Sequence, residues 1–235
     1  MRDSLNLTRS PINPLPPVVW LLALPVICLE LFFALGQWGV IGGAQGVGLR
    51  LQAIRMAAFP PELAQRAWGL GIVDAGELYR ALSFSFVHVS LTHALFVVVF
   101  TLALGNMVAQ NFRPWAVLAL FFGSAIGGAL VYAAIQPLLG GRPSAMIGGY
   151  PAVYGLVGAF TFLLWTRLAA QNANRLRAFV LIGVLLLFQL IFGLVHGSPG
   201  QGWIAEVSGF GVGFLLSFLL VDGGISRALA QIRKR

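Results

Sequence analysis

The sequence predicts an all-α membrane protein: a bundle of six transmembrane helices with an amphipathic first outer loop. Three observations carry this reading. Of the 235 residues 58% are hydrophobic and only 9% are charged, whereas an ordinary soluble domain is about a quarter charged. Apolar stretches of about twenty residues, enough to cross about 30 Å of hydrocarbon as a helix, recur through most of the chain. In lipid, moreover, every backbone N–H and C=O must be bonded within its own segment, so such stretches are helical whatever their individual propensities.

The elements follow in order. Residues 1–17 are polar and carry Pro11, Pro14, Pro16 and Pro17, which reads as a flexible cytoplasmic tail. The six-helix membrane domain is expected over 18–221, with spans at 18–38, 82–107, 115–136, 146–167, 178–196 and 203–221. The first of these is longer than a signal-peptide core of about 7–15 residues and no small-x-small cleavage site follows it, so it is an uncleaved span. Residues 222–235 form a basic cytoplasmic tail. The single cysteine, Cys28, lies in the first span and excludes an internal disulfide.

The loop over 39–81 is too polar to span and too apolar for a plain linker. Leu49, Leu51, Ile54, Met56, Phe59, Leu63, Trp68 and Leu70 alternate there with Arg50, Arg55, Glu62 and Arg66. That mixture suits short helices lying at the headgroup level, with Pro60-Pro61 dividing two pieces.

Charge sets the orientation. The net charge of +8 comes from 15 basic against 7 acidic residues. With the N-terminus inside, ten of the fifteen basic residues fall on inner segments, and four of the five exceptions sit in the long first loop, which counts for little. Both termini are therefore expected in the cytoplasm of a bacterium, the protein lying in its inner membrane. The basic excess serves topology and the headgroups of the lipid bilayer, and no nucleic-acid partner is expected.

Small residues cluster in three spans. Gly123 and Gly127 in the third, and Gly209 and Gly213 in the sixth, are spaced small-xxx-small, which lets helix backbones approach closely. With Gly155 and Gly158, they make the fourth and sixth spans core helices. The Leu-rich fifth span is peripheral.

Three further stretches lie in order along the second, fourth and sixth spans: His88 and His93 with Val97 four residues on; Gly148-Gly149-Tyr150-Pro151 leading into Tyr154, Gly155 and Gly158; and Ala205-Glu206 followed by Gly209 and Gly213. Together with Glu77-Leu78-Tyr79-Arg80, they resemble the rhomboid intramembrane serine protease family over about 77–220. The resemblance implies a rhomboid-like bundle in which the frame survives and the chemistry does not. Tyr150 stands where that family has its serine nucleophile, Glu206 where it has the histidine base, and Val97 where it has an oxyanion-binding asparagine. His93 and Tyr154 match the family pattern. A catalytically inactive member is expected, not an enzyme, because a phenol in place of the serine leaves no nucleophile for Glu206 to serve. Pro151 fits the first turn of a helix, where its missing N–H has no partner to lose.

Tyr150, Glu206, His93, His88, Tyr154 and Val97 are thus the expected lining of a vestigial cleft. Glu206 is either part of a remodelled polar site or hydrogen-bonded only to satisfy packing, since a carboxylate at membrane depth faces a wet cavity or a partner. His88 is expected to tie a loop by hydrogen bonding while His93 faces the cleft. Five residues apart, the two point about 140° from each other on a helix, so no metal site is expected, and no cofactor. Glu30 in the first span is a second intramembrane carboxylate, turned to another subunit, to Gln189 or to a backbone group; as a possible partner contact it completes the set.

Three functions follow. The resemblance to inactive rhomboids implies binding of a transmembrane protein partner, as a client, in quality control or trafficking. The alternative is an accessory or assembly subunit of a larger membrane complex, docked through Glu30 or the amphipathic loop. A third is an intramembrane protease with altered chemistry at Glu206. A proton-linked transporter ranks last, since the hydropathy pattern carries no inverted repeat.

Overall fold

A computed structural model describes residues 14–140, 143–195 and 201–221. The readings of the tails over 1–13 and 222–235, of Arg142, and of the Gln189 side chain lie outside the described residues. Nine α-helices run through these segments: α1 (Pro17–Gln37), α2 (Leu49–Ala57), α3 (Pro61–Leu70), α4 (Arg80–Ser83), α5 (Leu91–Ala109), α6 (Pro114–Leu139), α7 (Tyr150–Ala170), α8 (Val180–Val195) and α9 (Trp203–Leu220). Five of them, α1, α5, α6, α7 and α9, are long and apolar enough to cross a membrane. The fifth expected span is occupied by α8, 16 residues long. The architecture is an all-α membrane bundle, and the protein crosses the bilayer several times.

Proline and glycine fix the helix starts. Pro17, Pro114 and Pro151 sit in the first turns of α1, α6 and α7, where the fixed φ is an asset and the absent N–H costs nothing. The first loop folds into α2 and α3, with Pro60 as the N-cap and Pro61 as the first residue of α3. Their outer faces leave Leu51, Met56, Trp68 and Leu70 exposed, as suits helices lying on a lipid surface.

Two span boundaries differ from the sequence reading. The second begins at Leu91 instead of residue 82, because the apolar run Leu82–Val87 is not spanning helix. It closes α4 and forms a single 3₁₀ turn, Phe84–Phe86, with Phe84 fully buried. The fourth begins at Tyr150 instead of residue 146, because Met146 is drawn into an isolated antiparallel bridge with Phe59. Hydropathy cannot separate a buried loop from a span.

The core lies where α6, α7 and α9 meet. On α9, a Cβ at Gly213 would strike the Gly155 backbone and one at Gly209 the Pro151 carbonyl; on α7, one at Gly155 would strike the Ser124 side chain. Gly123 and Gly127 of α6 receive Leu216 and Val212 of α9, whose side-chain atoms would lie 2.9 and 2.8 Å from a Cβ. All five glycines are seams between helices. On α8, by contrast, Val180, Val184, Leu187, Phe188 and Ile191 are exposed, so it lies at the periphery.

Glu30 is spoken for within the chain. It is buried on α1, and both its oxygens accept from Arg50 of α2, Oε1 from Nη1 at 2.8 Å and Oε2 from Nη2 at 2.7 Å. The sequence offers Glu30 as a contact for another subunit; the structure gives it a partner twenty residues away instead. The reason is that the loop doubles back, bringing α2 against α1 at the depth of the carboxylate.

Candidate functional site

The head of α7 is held by three interlocked loops. Phe59 and Met146 exchange backbone hydrogen bonds at 3.0 and 2.8 Å, Gly148 N–H donates to the Phe84 carbonyl at 2.8 Å, and Gly149 N–H donates to His88 Nε2 at 3.2 Å. Gly148 has φ +97°, a left-handed conformation, and a Cβ there would also run into the His93 ring. The arginine and hydroxyls before α5 close the assembly: Arg80 donates to the Ala58 carbonyl at 3.2 Å, Ser83 to that of Ala57 at 3.1 Å, and Tyr79 to that of Met56 at 2.9 Å. The Glu77-Leu78-Tyr79-Arg80 stretch thus pins the elbow between α2 and α3.

Beside this head lies a cleft of about 630 Å³. From α5 it is lined by His93 with Phe96 and Phe100, and by Ser90 and Thr92 at its rim; from α7 by Tyr150, Val153 and Tyr154; from α8 by Leu185 and Phe188; and from α9 by Glu206. Polar groups cluster at one end. The Tyr150 ring stacks on the His93 ring, centroids 4.6 Å apart and 22° from parallel. Glu206 stands in the first turn of α9, 9% exposed. The remaining walls are apolar and aromatic.

Of the six residues expected in the cleft, four line it: Tyr150, Glu206, His93 and Tyr154. His88 and Val97 sit behind the wall. His88 is fully buried with its ring edge-on to His93 at 4.9 Å, and Val97 packs where a Cβ on Gly149 would be. The cause is geometric: His88 precedes α5 in an extended loop, and Val97 is one turn below His93 with its side chain against the Gly149 backbone. His88, outside the spanning helices, is pushed down to about 3 by its burial and then by the neighbouring His93. It is held neutral, as an Nε2 that accepts a hydrogen bond must be.

Missing from the sequence reading of the cleft were Phe96, Phe100, Val153, Leu185, Phe188, Ser90 and Thr92. The first two were within reach, since they follow His93 at i+3 and i+7 and so share its face. Leu185 and Phe188 carry no comparable signal. Ser90 Oγ accepts the His93 N–H at 3.2 Å and caps α5. Ser144 is bonded through its backbone to the Tyr132 hydroxyl at 3.1 and 3.3 Å and is not among the residues that line the cleft. Among the described residues no three His, Cys, Asp or Glu side chains gather as a metal site would require. His93 Nε2 has no hydrogen-bond partner among the described residues.

Acyl transfer by this arrangement would need a hydroxyl next to a base, with donors for an oxyanion. The group at the head of α7 is a phenol packed flat against an imidazole, with a carboxylate in the facing helix. What the cleft does offer is an apolar, aromatic trough with a polar end.

The Rhomboid domain family model matches residues 75–223. RHOMBOID-like protein 4 of Arabidopsis thaliana is 27% identical over 153 residues, covering 64% of this chain and 36% of its own. Rhomboid-like protease 1 of Toxoplasma gondii is 28% identical over 156 residues, covering 64% and 51%, and RHOMBOID-like protein 5 of Arabidopsis thaliana 27% over 150, covering 64% and 46%. The chain thus spans a third to a half of the length of these relatives. The matched stretch runs from the Tyr79-Arg80 element through the whole of α9 and takes in every wall of the cleft; the chain belongs to the rhomboid family.

Proposed function

We propose that this chain is a rhomboid without protease chemistry, whose cleft binds a transmembrane segment of another membrane protein. The observation that carries the reading is the stack of Tyr150 on His93 at 4.6 Å. It fills the place in which a serine nucleophile would stand, while the trough between α5 and α8 stays open beside it. Packing drives helix association in lipid, where the hydrophobic effect between helices is absent. An aromatic trough formed by Phe96, Phe100 and Phe188 supplies packing surface, and His93 Nε2 supplies a hydrogen-bonding group for a polar residue on the incoming helix. On this reading Glu206 is part of a binding surface. The inner membrane of a bacterium, with both termini inside, remains the location the arginine distribution favours.

The accessory-subunit reading loses one of its two anchors, since Glu30 is engaged by Arg50. Altered proteolysis would need a nucleophile near Glu206, and Tyr150 is the hydroxyl at the position expected for one. The test is photo-crosslinking from Phe96 and Phe188, replaced by a photoreactive residue, in membranes from the native host, followed by mass spectrometry. Crosslinks to transmembrane segments, reduced in Glu206→Leu protein of equal abundance, are expected. Crosslinks to lipid alone would sink the binding reading, and cleavage of a reporter helix that Tyr150→Phe abolishes would replace it with the enzymatic one.

A further inference from the structure

Of the two arginines in α2, Arg55 is exposed whereas Arg50 is turned inward, its side chain 15% exposed. Besides holding both oxygens of Glu30, Arg50 Nη1 donates to the backbone carbonyl of His88 at 2.9 Å, and its guanidinium lies 4.9 Å from the centre of the Phe33 ring. His88 in turn accepts the Gly149 N–H, and the next residue, Tyr150, is the one stacked on His93. An unbroken series of contacts thus runs from α1 through Glu30, Arg50, His88 and Gly149 to the wall of the cleft.

From this series we infer that Arg50 is the positioning residue of the cleft: by holding the His88 carbonyl it fixes the imidazole that receives Gly149, and with it the place of Tyr150. The inference rests on the reading of the cleft as a binding site. An arginine is required because its planar fork fills both carboxylate oxygens and still has an N–H for the carbonyl. A lysine has one point charge at the end of a flexible stem, and could neutralise Glu30 without holding His88 in the same register. Glu30 is the second requirement. It orients the fork, and an intramembrane cation without a paired anion is costly. The outer loop and the cleft are thereby one mechanical unit, joined through α2.

A merely structural role, tying α2 to α1, is separated from this by replacing both partners. Glu30→Leu with Arg50→Leu removes the buried charges together, an exchange that is often neutral for stability, yet also removes the strap on His88. Two readouts are needed, on the full chain in nanodiscs: selective ¹⁵N-histidine spectra, which report the Nε2 of His88, and capture of the transmembrane helix identified by crosslinking. The expected result is thermal unfolding close to wild type, a displaced His88 Nε2 resonance, and capture weakened at least about tenfold. Arg50→Lys, which keeps the charge pair, serves if the double variant does not fold, and the same displacement is expected. An unchanged His88 resonance with wild-type capture in either variant would falsify the positioning role. A displaced resonance in a protein whose wild type captures no helix would leave the role standing and overturn the binding reading.

Discussion

Where α6, α7 and α9 meet there is no room for a methyl group, while between α5 and α8 the same bundle leaves about 630 Å³ open. The tight side is built from glycines facing backbone; the open side from phenylalanines facing space. In lipid the two arrangements cannot be exchanged. Close backbone approach gives dispersion contact without any hydrophobic driving force, whereas an aromatic-lined gap leaves its rings without partner atoms on one side. One half of the molecule is therefore close-packed, and the other carries an open, aromatic-lined cleft.

The comparison breaks most easily on the tight side. Gly213→Val sets a Cβ against the Gly155 backbone and adds two methyl groups beyond it, and a loss of about 3 kcal/mol or more, or of folded protein altogether, is expected in reversible unfolding in mixed micelles. The seam between the halves should be sensitive to acid. The folded value of His88 lies below its ordinary 6.5, at about 3, so its contribution is present above pH 6.5 and is withdrawn as the pH falls toward that folded value. Between pH 6.5 and 4.5 His88 should contribute a difference of about 2 kcal/mol in unfolding, a difference that His88→Asn reduces. On the open side, Phe188→Ala removes an exposed ring. Less than about 1 kcal/mol of stability should be lost, while helix capture weakens, which a capture assay with the same client reads directly. The smallest effect sharpens the contrast within one helix: Gly211, two residues from Gly213, has nothing within 4 Å of its Cβ, so Gly211→Ala should stabilise by up to about 0.5–1 kcal/mol. A loss there on the scale of Gly213→Val would mean that α9 packs on both faces.

The tight half was legible in the sequence because small-xxx-small spacing is a local pattern with one structural meaning. Gly123, Gly127, Gly155, Gly209 and Gly213 are all found at helix seams. The cleft was half legible. Tyr150, Tyr154, His93 and Glu206 sit in motifs, whereas Leu185 and Phe188 reach it only because α8 stands across from α5, and a run of leucines does not say which face looks inward. The segment over 82–90 was misread because a loop buried inside a membrane protein is as apolar as a span. The partner of Glu30 was hidden for a different reason: Arg50 reaches it only after the first loop folds back, and no spacing in the chain encodes that return.

The bridge between Phe59 and Met146 joins the outer loop to the head of α7 through backbone atoms alone. In evolutionary terms such a joint is silent. Substitutions on either side can accumulate without touching its two hydrogen bonds, and among the twenty amino acids only proline, lacking the N–H, deletes a donor there. The place where α7 begins can thus be inherited intact while the residue standing on it changes from one chemistry to another.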